Sequence, residues 1–153
     1  MMAYNIDVVA DALLNASRER RIEVSNLKLQ KLMYYAQGWY LVLTSQPLYS
    51  EDIQAWVHGP VIPCLFHRFK PYKWGAIDEK GKQGNPVLHR YLGMLLEKYG
   101  RYSAKELEQF THNERPWIDA RAGLAVDEPS TRVITQEALR AHFSALMQAS
   151  AAK

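Results

Sequence analysis

Apolar residues recur along this chain mostly at helical spacing. Ile6, Val9, Ala10 and Leu13 fall on one face, Asn5 stands where a helix cap belongs, and Asp7 suits the positive first turn, which predicts a helix to about Ser17. Arg18 to Arg21 read as a solvated connector, after which Ser25 caps a second helix stapled by Val24 and Leu29. Leu29, Leu32, Met33, Ala36, Tyr40 and Leu43 share a face of that helix, with Gln30, Lys31, Gln37 and Gly38 opposite. From Trp39 to Leu43 it is apolar all round, so its far end is expected to run into the middle of the domain.

Pro47 and the stretch YSED mark a turn, and Ile53, Ala55 and Val57 alternate with Gln54, Trp56 and His58 at the period of a half-buried strand in a small hairpin. Trp56 is expected in the core, and Gly59 with Pro60 should break the hairpin. Pro63 then opens a short helix with Ile62, Leu65, Phe66 and Phe69 on its apolar side. Lys73 to Asn85, rich in glycine and charge, reads as an exposed, mobile connection with few core contacts. Asn85 and Pro86 start a helix with Leu88, Tyr91, Leu92, Leu95, Leu96 and Tyr99 on one face, ended by Gly100.

Ser103 with Glu106 forms a capping box for a helix to about Phe110, and Thr111 with Glu114 reads as another, ahead of Trp117, Ile118 and Ala120 and a stop at Gly123. Thr135 caps a last helix whose face is Leu139, His142, Phe143, Leu146 and Met147, with Ile134 as staple and residues 149–153 fraying. The total is a mainly α fold: a single compact helical domain of six or seven helices with one small β-hairpin, spanning residues 1–153 with its core at about 4–147.

Composition agrees with a chain that folds alone. Its 153 residues are 48% hydrophobic and 23% charged, the profile of a globular domain. The net charge of +3 is spread along the chain. One cysteine cannot form an internal disulfide, no secretory leader is recognisable, and the apolar run 32–43 is too short to span a bilayer, so a cytoplasmic, membrane-free protein is expected.

Candidate chemistry is sparse. Cys64 and His67 have the spacing of half a metal site to which His58 and His112 could add, but a second close pair is missing, so no metal is expected and Cys64 reads as a small buried thiol. His112, Glu114 and Cys64 lack a glycine-rich anion loop or nucleophile elbow, and no enzyme is expected. Tyr34, Tyr35, Trp39 and Tyr40 follow the helical face and read as core, implying no cofactor. In residues 67–74, HRFKPYKW, Arg68, Lys70 and Lys73 alternate with Phe69, Tyr72 and Trp74, the one stretch where bases could stack while cations follow phosphates. Trp117 and Arg121 lie four apart, either as an internal clasp or as an exposed contact.

Two blocks of residues carry a family resemblance. The first contains Leu29, Gln30, Lys31, Leu32, Tyr34, Tyr35, Ala36, Gln37, Gly38 and Trp39, then Pro47, Leu48, Glu51, Ile53, Ala55, Trp56, Gly59, Pro60, Val61 and Pro63. The second contains Thr111, His112, Glu114, Pro116, Trp117, Ala120 and Arg121. In order and spacing they resemble the Panacea domain of SocA-like antitoxins and phage-associated GepA proteins. His58 departs from the pattern, standing where an aromatic is expected.

The resemblance implies an antitoxin that binds a cognate protein toxin, often encoded beside it. In the SocA branch it also implies an adaptor that delivers the toxin to the ClpXP protease, although no residues here match a protease-binding motif. Such a complex needs a few aromatic or arginine anchors, for which Tyr72, Trp74, Trp117 and Arg121 are the candidates. Leu29, Gln30, Lys31, Leu32, Gln37, Gly38, Trp39, Trp56, Gly59, Pro60, Glu114 and Pro116 are expected to be structural. The competing reading is a nucleic-acid-binding regulator acting through residues 67–74. The oligomeric state is left open.

Overall fold

The computed structural model describes residues 3–151. Among them are seven α-helices, α1 (Ile6–Glu19), α2 (Asn26–Thr44), α3 (Pro63–Phe69), α4 (Pro86–Tyr99), α5 (Ala104–His112), α6 (Arg115–Ala120) and α7 (Gln136–Ala151). Three short strands, β1 (Ile53–Trp56), β2 (Gly59–Val61) and β3 (Val133–Ile134), form an antiparallel sheet in the order β2-β1-β3. A 3-10 turn at Lys70–Tyr72 follows α3.

Helix starts are set locally by side chains that accept the first unpaired backbone N–H groups. Asn5 accepts from Asp7, Ser25 from Lys28, Asn85 from Val87, and Thr135 from Ala138. Ser103 and Glu106 form the reciprocal capping box. The second expected box is absent. Thr111 lies within α5, donating its hydroxyl to Glu108 O, and Glu114 precedes α6 without capping it, its carboxylate being engaged elsewhere.

The course of α2 reverses the expectation. Gln30, Lys31 and Gln37 are fully buried, whereas Trp39 and Tyr40 are half-buried and Leu43 is 58% exposed, so the helix surfaces at its apolar end. For the two glutamines the physical reason is the irregular backbone packed against the polar side of α2, whose buried N–H and C=O groups require partners. Gln30 accepts from the Ile62 N–H at 2.9 Å and donates to Asn26. Gln37 accepts from the Leu48 N–H at 2.7 Å and donates to Tyr49 O at 2.8 Å. A glutamine offers both donor and acceptor, so each can clamp a strand-like segment to the helix.

Gly59 and Pro60 do not end the hairpin but form its second strand, Ala55 facing Pro60 and Trp56 facing Gly59. β2 is an edge strand, where a proline withholds no ladder hydrogen bond. At φ 108°, Gly59 takes a conformation that side chains avoid, and the Lys31 chain passes against its Cα. β3 is the strand that local patterning missed. It adds to the far side of β1, Ile53 facing Ile134, and turns the hairpin into a three-stranded sheet.

The core runs from Ile6 to Phe143 through Leu29, Leu32, Met33, Tyr34 and Tyr35 of α2. α1 packs on α4 and α7 on α2. The connection 73–85 is irregular as expected but enters the core more than expected, for Ile77 is buried and its N–H donates to Val24 O at 2.8 Å. Cys64 is exposed, not buried. α7 remains helical to Ala151, and the last two residues of the expected fray lie outside the described residues. No helix among the described residues is long and apolar enough to cross a membrane.

Candidate partner-binding surface

An apolar groove of about 820 Å³ opens beside the hairpin. Trp56, Val57, His58 and Val61 of the hairpin form one wall, and Phe66, Lys70, Lys73 and Trp74 of α3 and the turn after it form another. Asn26 and Leu27 at the start of α2 and residues 129–131 complete the lining. Trp56 meets Phe66 edge to face with ring centroids 5.1 Å apart, which fixes the two walls against each other. Trp56 is thus half-buried, not a core residue.

The turn that closes the rim is strained. The Gly75 N–H donates to Tyr72 O at 3.0 Å, and Lys73 sits at φ 54°, ψ −119°. That is the geometry of the first central residue of a type II′ turn, a position normally held by glycine. A lysine there costs about 1–3 kcal/mol. The turn holds the next residue, Trp74, 84% exposed at the mouth of the groove. Of the lining residues, Lys70 and Lys73 carry full positive charge and none is a carboxylate.

The four expected anchors divide. Trp74 lines the groove and is exposed, whereas Tyr72 is half-buried, packs against the core and does not line the groove. Trp117 and Arg121 are buried, at 7% and 4% exposure, and form the internal clasp of the two readings. Trp117 Nε1 donates to Trp56 O at 2.8 Å. The Arg121 guanidinium lies 5.0 Å from the Trp117 ring centroid and donates to Ala55 O at 2.9 Å and to Glu128 O at 2.6 Å. Five donors in a planar fork allow one side chain to tie several carbonyls. The pair therefore braces β1, whose Trp56 forms a groove wall, without reaching the surface itself.

The basic-aromatic stretch 67–74 is also broken up by the fold. Arg68 is bound by Asp7, Asp11 and Glu79 at 2.7–2.8 Å, and Phe69 is fully buried. Of its lysines, arginine and large aromatics only Lys70, Lys73 and Trp74 are fully exposed, with Tyr72 half-buried, too little for a continuous phosphate track with stacking platforms.

A second polar cluster lies inside, away from the groove. Glu114 accepts from the hydroxyls of Tyr34 and Tyr35, each at 3.0 Å, and burial outweighs those bonds and pushes its carboxyl up to about 7. His142 lies 3.9 Å away, beyond hydrogen-bond reach, and burial lowers its pKa, so both groups are driven toward neutrality and the contact is not a strong ion pair. The Lys31 ammonium is 0% exposed with no hydrogen-bond partner among the described residues, and burial pulls its pKa down to about 8 against the weaker opposing pull of Glu108. His112 stacks on Trp117 at 3.9 Å. Neither Glu114 nor His112 lines the groove, and among the described residues no three His, Cys, Asp or Glu side chains converge as metal ligands would.

The sequence pattern did not mark Leu27, Val57, Val61 or Phe66 as binding residues, and it placed Lys73 in the basic-aromatic stretch without its strained turn. Pro71 and Gly75, bracketing Tyr72, Lys73 and Trp74, carried a turn signal. The approach of residues 129–131 had no local signal at all.

Residues 29–91 match the family model described as antitoxin SocA-like, Panacea domain, a span that includes both principal walls of the groove. The chain is 43% identical over 124 residues to a protein named Antitoxin SocA from Caulobacter vibrioides (strain NA1000 / CB15N). That alignment covers 71% of this chain and 66% of the relative, just under two thirds of its length. No solved structure matches.

Proposed function

We propose that this chain, which belongs to the family of SocA-like antitoxins with a Panacea domain, neutralises a protein toxin by direct contact through the surface that carries Tyr72 and Trp74. The observation that carries the location is Trp74, 84% exposed on a strained turn at the mouth of an apolar groove. A large aromatic side chain left in water, beside apolar walls already positioned by Trp117 and Arg121, is the composition of a binding hot spot. Strain retained next to it supports a role in presentation, because a glycine at position 73 would fold with less cost.

Phosphate binding is the weaker reading, since Arg68 is held by three carboxylates. In the antitoxin reading the toxin is encoded by a neighbouring reading frame. Co-expression of that frame with this chain is expected to lift growth inhibition and to yield a co-purifying complex, and Trp74→Ala to weaken both. Persistent inhibition with every adjacent frame contradicts the reading. Delivery of the toxin to a protease such as ClpXP belongs to the same reading, and it is read separately as a shorter toxin half-life when the chain is present.

A further inference from the structure

We infer that the groove accepts a partner segment carrying a large aliphatic or aromatic side chain next to a carboxylate. This rests on the antitoxin reading and names the chemistry of the contact. The apolar side chain enters between Trp56, Phe66 and Trp74, and the carboxylate pairs with Lys70 and Lys73.

Three observations fix that choice. The walls are mainly aromatic and aliphatic and enclose about 820 Å³, room for several side chains of an extended segment. The full charges on the lining are both positive, and no Asp or Glu lines the groove to repel an incoming carboxylate or to satisfy the lysines from within. Lys73 is also the strained residue of the turn, so the backbone that exposes Trp74 sets a cation beside it. An apolar anchor flanked by acid is complementary to all three. A segment flanked by basic residues would place like charges at the rim, which penalises association. A single strand of nucleic acid would find only two exposed cations at the groove, with Arg68 already paired.

The test selects from a displayed random library of peptides about twelve residues long on the immobilised protein, long enough to cross a groove of this kind. It compares wild type with Trp74→Ala and with the double variant Lys70→Glu, Lys73→Glu. Wild type is expected to enrich sequences with a large apolar residue beside Asp or Glu. The best of these, resynthesised, should lose affinity by about ten-fold or more on either variant, the scale of removing an anchor or reversing a charge pair. The Glu variant should instead enrich basic flanks. The substituted side chains are exposed, and matching circular dichroism and thermal unfolding verify the folds.

No enrichment, enrichment without acidic residues, or an unchanged preference on the Glu variant overturns the inference. So does tighter binding of an oligothymidylate than of any peptide, or a concentration-dependent dimer that Trp74→Ala abolishes, which would assign the groove to nucleic acid or to a second copy. The outcomes also separate the two readings. Peptides behaving as expected with no adjacent toxin neutralised would leave the docking chemistry standing and the antitoxin reading fallen. Growth rescue by wild type and the Glu variant alike would do the reverse.

Discussion

Tyr35 and Glu114 lie 79 positions apart in sequence and are joined by a 3.0 Å hydrogen bond, the phenol donating to Oε2. Tyr34 donates to Oε1 of the same carboxylate, so two adjacent residues of α2 hold the segment between α5 and α6. Burial raises the Glu114 pKa from its ordinary 4.5 to about 7. The native state therefore retains a proton that the unfolded chain has released. This contribution to stability is fully present below about pH 4.5 and is lost as pH rises through about 7. His142, whose pKa is lowered, acts in the opposite direction, costing stability as pH falls below its ordinary 6.5. Glu114→Gln isolates the carboxyl. Compared with wild type by urea unfolding, it should gain relative stability as pH rises from 5 to 8, by on the order of 3 kcal/mol. A difference independent of pH would refute the assignment.

Lys31 provides the complementary case. Its buried ammonium is penalised below a folded pKa of about 8, and the fold should gain stability as pH rises from there toward the ordinary 10.5. Lys31→Met keeps an unbranched side chain, one atom shorter, and removes the charge. It should stabilise the protein at pH 7 by about 1–3 kcal/mol, with the advantage shrinking toward pH 10. Thermal unfolding across that range is the measurement, and a destabilised variant at pH 7 would show that the ammonium has a partner worth more than its desolvation.

Gly38 allows α7 to settle on α2. A methyl group there would overlap the ring of Phe143, which is itself fully buried against Tyr34, Tyr35 and Trp39. Gly38→Ala is expected to lower stability by about 1–3 kcal/mol even though alanine favours a helix. Phe143→Leu, which removes the ring that the methyl group meets, should relieve part of that loss in the double variant. Additive effects in the denaturation cycle would mean that the two residues do not meet.

The strained turn can be relaxed at Lys73 with the aromatic walls of the groove left in place. Lys73→Gly should stabilise the isolated chain by roughly 1 kcal/mol, since glycine adopts φ 54° without the clash that lysine suffers. The same substitution should weaken partner binding by removing a rim cation. Opposite signs in unfolding and binding measurements are the expected signature.

Helix starts were legible because caps are local: Asn5, Ser25, Asn85, Ser103 and Thr135 each bond a backbone group within three positions. The burial of Gln30 and Gln37 was not, because the groups that demand it, the N–H of Ile62 and of Leu48, arrive from 32 and 11 residues away. Glu114 had the spacing of a capping partner, and nothing adjacent in sequence distinguishes that use from one across the core. Trp74 could be read as exposed from the glycines and charges around it. The groove could not, since its walls come from segments that meet only after folding, as does the pairing of β3 with β1.

Titration of the purified chain against the purified product of the adjacent frame proposed as its toxin, with that protein's activity as readout, tests neutralisation by contact most directly. Inhibition should saturate at a fixed molar ratio, coincide with a stable complex, and shift to higher concentration with Trp74→Ala. Inhibition at far below stoichiometric amounts, with the toxin left chemically altered and no complex formed, would contradict it.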